Sequence, residues 1–462
     1  MEGQIDEDAS DGYVAFSITK MNVTEDRSFS YNSAFHIVMR TNGSIAAIAP
    51  TMLHLGMSNH ITAMKFYPYD PSYMLIAVDV ESSEDGPQYL WNWDGTKGET
   101  YIPLLNGSNN NCHDVQLSYD GHYVWGIGTG PDLLDTRIIE STGYNTRLEM
   151  VDIQYTAGAK SLNHVQLIEK DSIAIVSEKV HNAIIKVNVS SEVVHWVAGG
   201  PNGTLTLIDS SGTVWEPGSA LWYGQHNAEY FGEDEYLMFD DQTVWHETAS
   251  SDSEKKAQNT SRLLIVRIDE FATTAEIIWE YDLGYHTNHF GDLDMLATGN
   301  LLGAGWVTSR TPDGSHPTFD AQLIEVTRED QETAWELNVI GNQTRDEKEN
   351  AEFVLYDSWS VYSAERMYAK PLLYNLECCY TDDYAVEISF SSHGRFKENN
   401  KHIAHYELAI GDDIITKGSF MHDAYLRPTS VTIASNVTTK EACTKGSVRV
   451  TDRWGTTNEK EI

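Results

Sequence analysis

A polar residue, a histidine and an alternating apolar run recur five times along this chain. They read NHITAMKFY at His60, CHDVQLSYD at His113, NHVQLIEKD at His164, QHNAEYFGE at His226 and NHFGDLDML at His289. The intervals are 53, 51, 62 and 63 residues. A unit of that length cannot bury its own apolar face and must stack on its neighbours, which restricts the chain to a repeat architecture.

The runs downstream of each histidine identify the repeating unit. After His164 come SIAIVSE, AIIKVNV and EVVHWVAG; after His226 come EYLMFDD, LLIVRID and AEIIWEYDLG; after His289 come NLLGAGW, QLIEVTRE and TAWELNVIG. Each unit is four short β-type runs separated by Gly, Asp, Asn or Ser turns, with a tryptophan in the last run (Trp196, Trp279 and Trp335). Four strands per unit predict the blades of a β-propeller. A sixth unit starts near SVYSAERM, residues 360–367, and is completed by N-terminal strands around AFHIVMR and SIAAIAP. The expected fold is therefore all-β: a six-bladed β-propeller over 1–368, closed by its N-terminal strands. A C-terminal β-sandwich-like domain is expected over 369–462, where YAVEISFSS, HIAHYELAI, SVTIAS and GSVRVTDRW alternate without the histidine or tryptophan signature. The closing TTNEKEI reads as a solvated tail.

Sixty-nine acidic against 31 basic residues give a formal charge of −38, which excludes nucleic acid and anionic membrane surfaces as partners. No run of about 18 apolar residues is present, so no membrane insertion is expected. The chain opens MEGQIDEDAS, without the basic and apolar regions of a signal peptide. Eight glycosylation sequons stand against that, at Asn22, Asn42, Asn106, Asn188, Asn202, Asn259, Asn342 and Asn436. The expectation is a secreted, extracellular or luminal glycoprotein whose leader lies outside the sequence. Cys112, Cys378, Cys379 and Cys443 fit no zinc motif; either of the vicinal pair could bond Cys443, leaving the other for Cys112 or free.

In a propeller the first strand of each blade lines the central channel, so equivalent positions converge on the axis. If the register holds, His60, His113, His164, His226 and His289 form a ring or funnel of imidazoles. Such a cluster suits metal binding, general acid–base catalysis or nucleophilic catalysis, and spacing alone does not separate these. Asp240-Asp241 reads as a turn rather than a calcium site, Asp114 as an orienting partner of a histidine, and His181, His195 and His286 as surface residues at strand ends.

Several of these segments together resemble the arylsulfotransferases, which transfer sulfuryl groups from aryl sulfates without the nucleotide cofactor. The similarity rests on CHDVQLSYDGHYV, LNHVQLIEKDSIAIVSEKVHNAIIKV, VVHWVAGG, YGQHNAEYFGEDEYLMFDD and MLATGNLLGAGW, in order over about residues 105–310. The resemblance implies a six-bladed propeller and a ping-pong transfer from a phenolic sulfate ester to a phenol through a sulfohistidine. It places the nucleophile at His226, with His113 and His164 as the other catalytic histidines. Lys179 stands where the family carries arginine, Ala297-Thr298 where it carries Pro-Asn ahead of Gly299-Asn300, His289 in place of a small polar residue, and Tyr362-Ser363 for Tyr-Arg. Catalytic roles are thus expected for His226, His113, His164 and Lys179, and substrate contacts for His60, His289, Gln225, Asn227 and Asn300. The partners implied are a small aryl sulfate and a phenol, with no cofactor or metal; a homo-oligomer or surface assembly is compatible with the acidic surface. Two alternatives stay open, a catalytically inactive propeller acting as an extracellular structural or glycan- or protein-binding module, and a histidine-ligated metalloenzyme.

Overall fold

The fold is given by a computed structural model that describes residues 9–462, apart from 24–28, 52–58, 81–87, 98–99, 106–113, 120–122, 128–132, 139–146, 153–161, 245–255, 258–259, 309–317, 342–357, 381–385 and 436–441. The described residues are almost entirely strand, and none of their helices is long and apolar enough to cross a membrane.

Six sheets, each with a four-stranded antiparallel core of blade form, follow one another around an axis. The first five begin at Asn59–Phe66, Val115–Leu117, Leu162–Ile168, His226–Tyr230 and Asp292–Met295. The sixth is closed by both ends of the chain, because Ala364–Tyr368 pairs with Gly12–Val23, which pairs with Phe29–Arg40 and then Ile45–Pro50. In the fourth blade, Thr206–Ile208 adds in parallel to the outer strand Thr274–Asp282.

Burial explains the strand patterns. The inner strand Leu162–Ile168 is buried at every residue, whereas the outer strand Thr333–Val339 is exposed or half-buried throughout. The second strand Ile173–Glu178, covered on both faces, reads as a nearly continuous apolar run, whereas the inner strand alternates because its polar side chains Asn163, His164 and Gln166 are buried too. Facing blades share cores all the way round. Leu75 and Leu90 pack with Val115, Trp125 and Ile127 with Val165, and Ile175 and Trp196 with Met238. Phe239 and Leu263 then pack with Leu293, Leu302 and Leu323 with Phe16, and Val38 with Met64, which closes the ring. The recurring tryptophans tie the third, fourth and fifth blades each to the next: Trp196 Nε1 donates to Glu270, Trp279 Nε1 to the Arg328 carbonyl and Trp335 Nε1 to the Thr41 carbonyl, at 2.9 to 3.0 Å.

Beyond the last blade strand, a three-stranded sheet (Leu372–Tyr380, Val386–His393, Thr429–Ser435) faces a four-stranded one (Asp413–His422, His402–Ile410, Gly446–Thr451, Thr457–Glu461) over Leu373, Phe390, Leu408, Ile433 and Val450. The charged terminus is not a solvated tail. Thr457–Glu461 pairs with Gly446–Thr451, buries Asn458 and turns its charged residues to solvent, as an edge strand does. Cys378 is bonded to Cys443, Cys379 is an exposed free thiol, and Cys112 lies outside the described residues.

Candidate active site at the propeller axis

Alternation along the inner strands puts two side chains per blade on the axis. These are Ala63 and Lys65, Asp114 and Gln116, His164 and Gln166, Asn227 and Glu229, Asp292 and Asp294, and Ser363 and Glu365. The expected ring of imidazoles is not what these residues form. The axis pair begins three residues after His60, one after His113, at His164, one after His226 and three after His289. Register shifts at Ile61/Ala63, Leu162/His164 and His226/Glu229 move the histidines relative to one another, and one residue of slip reverses the face a side chain takes. Among the described residues only His164 is on the axis. His113 and the side chain of His60 lie outside the described residues.

The axis carries a buried charge network instead. His164 Nδ1 is 2.9 Å from Asp114 Oδ2, and its Nε2 is 3.1 Å from Glu229 Oε1. Lys65 Nζ donates to Asp114 at 2.8 Å, and Lys397, from the C-terminal sandwich, donates to Glu229 at 2.7 Å and also bonds Asp294. Burial works against the charge on His164, but Asp114 and Glu229 outweigh it and push the imidazole up to about 8. Burial would likewise raise Asp114 and Glu229; neighbouring Lys65, Lys397 and His164 hold both well below the usual carboxylate range. Asp292 is different. Burial, reinforced by Asp294, pushes it up to about 8, so it keeps a proton at neutral pH while accepting from Asn227 Nδ2 and the Ala364 amide. The remaining cavity is about 10 Å³, room for about one water. His164 is therefore an ion-paired imidazolium in a closed centre. It can donate hydrogen bonds and hold charge, but it has no lone pair for attack while protonated.

His226 stands one residue above this network. Its Nδ1 is 3.2 Å from Asp241 Oδ1, and its ring meets Tyr362 edge to face at a centroid distance of 6.1 Å. Tyr362 continues into an aromatic cluster, packing on Phe290 at 5.1 Å, which stacks on Trp306 at 5.6 Å. A carboxylate at Nδ1 fixes the tautomer that carries the proton there and leaves Nε2 with its lone pair. Gln225, just before it, spends its amide on the Glu178 and Ala183 carbonyls at 2.9 Å and on Ser177 Oγ, locking the start of this strand onto the third blade. Lys179 comes directly after Glu178 on that same turn, half-buried, at the His226 end of the blade.

The other expected contacts divide. Asn227, with φ of 51°, is bonded to Asp292; His289 sits above the channel, its Nδ1 2.9 Å from Asn288 Oδ1 and its ring near Phe290 and Trp306. Asn300 does not join them. It sits in the turn at the other end of the Asp292–Met295 strand, where its amide donates to Glu325 at 2.7 Å. His286 is buried rather than superficial, 3.1 Å from Thr243 Oγ1, whereas His195 is exposed. Asp240 closes its turn by accepting from the Tyr223 and Gln242 amides and from Arg262, all in its own blade. Asp114 orients His164 of the next blade; His113 lies outside the described residues. Sequence reasoning missed Asp241 as the partner of His226, and Lys65, Glu229, Asp292 and Lys397 as the axis network. For Lys65, Glu229 and Asp292 the signal was a charged residue inside an inner strand; Asp241 and Lys397 lie outside those strands. Among the described residues no group of three or more His, Cys, Asp or Glu side chains is arranged to hold a metal ion.

No curated protein matches the chain. Among solved structures it is similar to a Myceliophteria thermophila β-propeller domain (10% identity over 69% of this chain and 84% of that one, TM-score 0.38). It is also similar to the WD40 domain of Toxoplasma gondii coronin (10% identity, 76% and 86%, TM-score 0.37). The family comparison falls on the blades that carry His164, Lys179 and His226, where residues 161–348 match the arylsulfotransferase model. Over that segment, which is less than half of its length, the chain is similar to the arylsulfotransferase family.

Proposed function

We propose that the protein transfers a sulfuryl group from a phenolic sulfate ester to a phenol, with His226 as nucleophile. The observation that carries this reading is the 3.2 Å approach of Asp241 to His226 Nδ1, beside aromatic rings that suit an aryl group. Nε2 of the neutral imidazole attacks sulfur, the S–O bond to the aryl group breaks, and the phenolate leaves and takes a proton. In the second half, the acceptor phenol gives up its proton, its oxygen attacks sulfur, and the S–N bond breaks to restore His226. Such a transition state is loose, with charge spread on peripheral oxygens, so fixed positive donors stabilise it most. Lys179, on the adjoining turn, supplies a point charge in place of a planar guanidinium. Splitting one group transfer in two in this way is what covalent catalysis contributes.

A second reading, a propeller that binds without catalysis, is favoured by Gln225 and Asn227 being committed to internal hydrogen bonds. Steady-state release of 4-nitrophenol from 4-nitrophenyl sulfate separates the two. Transfer requires release that rises with added phenol and is abolished in His226→Ala; its absence in folded wild-type protein supports the binding reading. Secretion is part of the same proposal: Asn42 and Asn202 are exposed, Asn188 is half-buried, and a disulfide is present. A mobility shift on glycosidase treatment tests it.

A further inference from the structure

At the other end of the channel from His226, the inner-strand turns of the first two blades and segment 397–403 of the C-terminal sandwich enclose a cleft of about 500 Å³. We infer that this cleft is a binding site for a neutral saccharide. The inference does not depend on catalysis at His226, from which the closed axis network separates it.

Charge decides the first part. Four cationic side chains line the cleft, and each is already matched: Lys65 by Asp114, Lys397 by Glu229 and Asp294, Lys401 by Asp423, and Arg453 by Glu398. An anion would have to displace these carboxylates, and a cation would meet the lysines. The site selects an uncharged ligand.

The walls decide the second part. On the propeller side stand Tyr69, 47% exposed, and Tyr119, 43% exposed; opposite them, on the sandwich, stand Ile403 at 45% and Met421 at 47%. Large side chains left this open on the walls of one cleft offer apolar contact area to a bound ring. Both tyrosines are held in place, Tyr69 against Tyr67 at 5.8 Å and Tyr119 by Lys170 over its ring at 5.2 Å. Between the walls lies a row of amides. Asn399 is fixed by Gln116 and Gln166 at 3.0 and 3.1 Å, and Asn400 comes next on the lining. Flat apolar walls with amide donors and acceptors between them suit a ring that has C–H faces and a hydroxylated edge. A pyranose has that form. Asn399 is held by its internal bonds, so the Asn400 amide is the group that meets the ligand, and a purely apolar ligand would strip water from it without replacing those hydrogen bonds.

The test is titration calorimetry of the full chain with cellohexaose, maltohexaose and chitohexaose, alongside a sulfated heparin hexasaccharide. One neutral hexasaccharide is expected to bind with Kd of about 1 mM or tighter. Tyr119→Ala and Asn400→Ala should each weaken it at least tenfold, with near-ultraviolet circular dichroism unchanged. His226→Ala should bind as wild type does, so loss of sulfuryl transfer and loss of sugar binding are read separately. No neutral hexasaccharide binding up to about 10 mM, binding unaffected by both cleft variants, or binding of the sulfated sugar alone would overturn the inference.

Discussion

Asp241 Oδ1 lies 3.2 Å from His226 Nδ1, Asp241 following directly on the strand Glu235–Asp240 whose Phe239 pairs with His226. Both are buried, so the carboxylate acts on the imidazole with little screening by water. Asparagine at 241 offers an N–H donor to Nδ1, favouring the opposite tautomer and placing the proton on the nitrogen that must attack. Asp241→Asn is expected to lower kcat for 4-nitrophenyl sulfate by about 10² to 10⁴-fold while KM changes little, the pattern of a displaced tautomer. An unchanged kcat would remove Asp241 from the account.

Lys397 reaches from the sandwich into the propeller and satisfies Glu229 and Asp294 together. Removing one partner of a buried ion pair costs on the order of 3 to 5 kcal/mol, because charge is left uncompensated. Lys397→Met should therefore destabilise the protein strongly at pH 8. At pH 5 the loss should be smaller, since Glu229, no longer held low by the lysine, can take up a proton. Chemical denaturation at the two pH values measures this; an equal loss at both would show that the lysine acts by packing alone.

Three buried histidines of the sandwich behave in the opposite sense. Burial lowers His393 to about 4, His402 to about 4 and His422 to about 3, the last also opposed by its two neighbours. They are linked, with His422 bonded to Ser392 at 2.8 Å and to His402 at 3.3 Å, and His402 3.1 Å from Glu398, which Arg453 also faces. His393 meets Tyr374 and the Leu426 carbonyl, each at 2.7 Å. A histidine whose folded pKa is depressed binds more protons unfolded than folded, so its stabilising contribution is present above pH 6.5 and is lost as pH falls towards the folded value. His422→Gln should lose less stability than wild type between pH 6.5 and 4, by on the order of 3 kcal/mol. Parallel pH profiles would contradict the buried, neutral assignment.

The Cys378–Cys443 bond closes a 65-residue separation within the sandwich. Loop-closure entropy for that length corresponds to about 4 kcal/mol. Cys443→Ser should lower the Tm of the sandwich. In native wild-type protein iodoacetamide should modify exposed Cys379 and leave Cys378 and Cys443 untouched, as peptide mass mapping will show.

The blades were legible because they solve the same problem with buried inner strands and polar turns, and three of them with a tryptophan that bonds the next blade. His226 was legible as a repeated feature. The axis was not. Bulges such as that between His226 and Glu229 are one-residue events that leave no mark on hydropathy, yet each decides which side chain meets the channel. Asp241 looked like a turn residue because its role is a side-chain contact made just past the end of its strand, 15 positions from His226. Lys397 was beyond reach for a simpler reason. Its partner Glu229 is 168 residues away, and nothing in either local sequence announces that the sandwich fills the channel of the propeller.

The most direct measurement is mass analysis of the peptide around residue 226 after brief exposure to 4-nitrophenyl sulfate without acceptor. The account predicts an adduct of one sulfuryl group on His226 that disappears when phenol is added and never forms in His226→Ala. Acceptor-dependent turnover with no adduct there, or with the adduct on another residue, would contradict it.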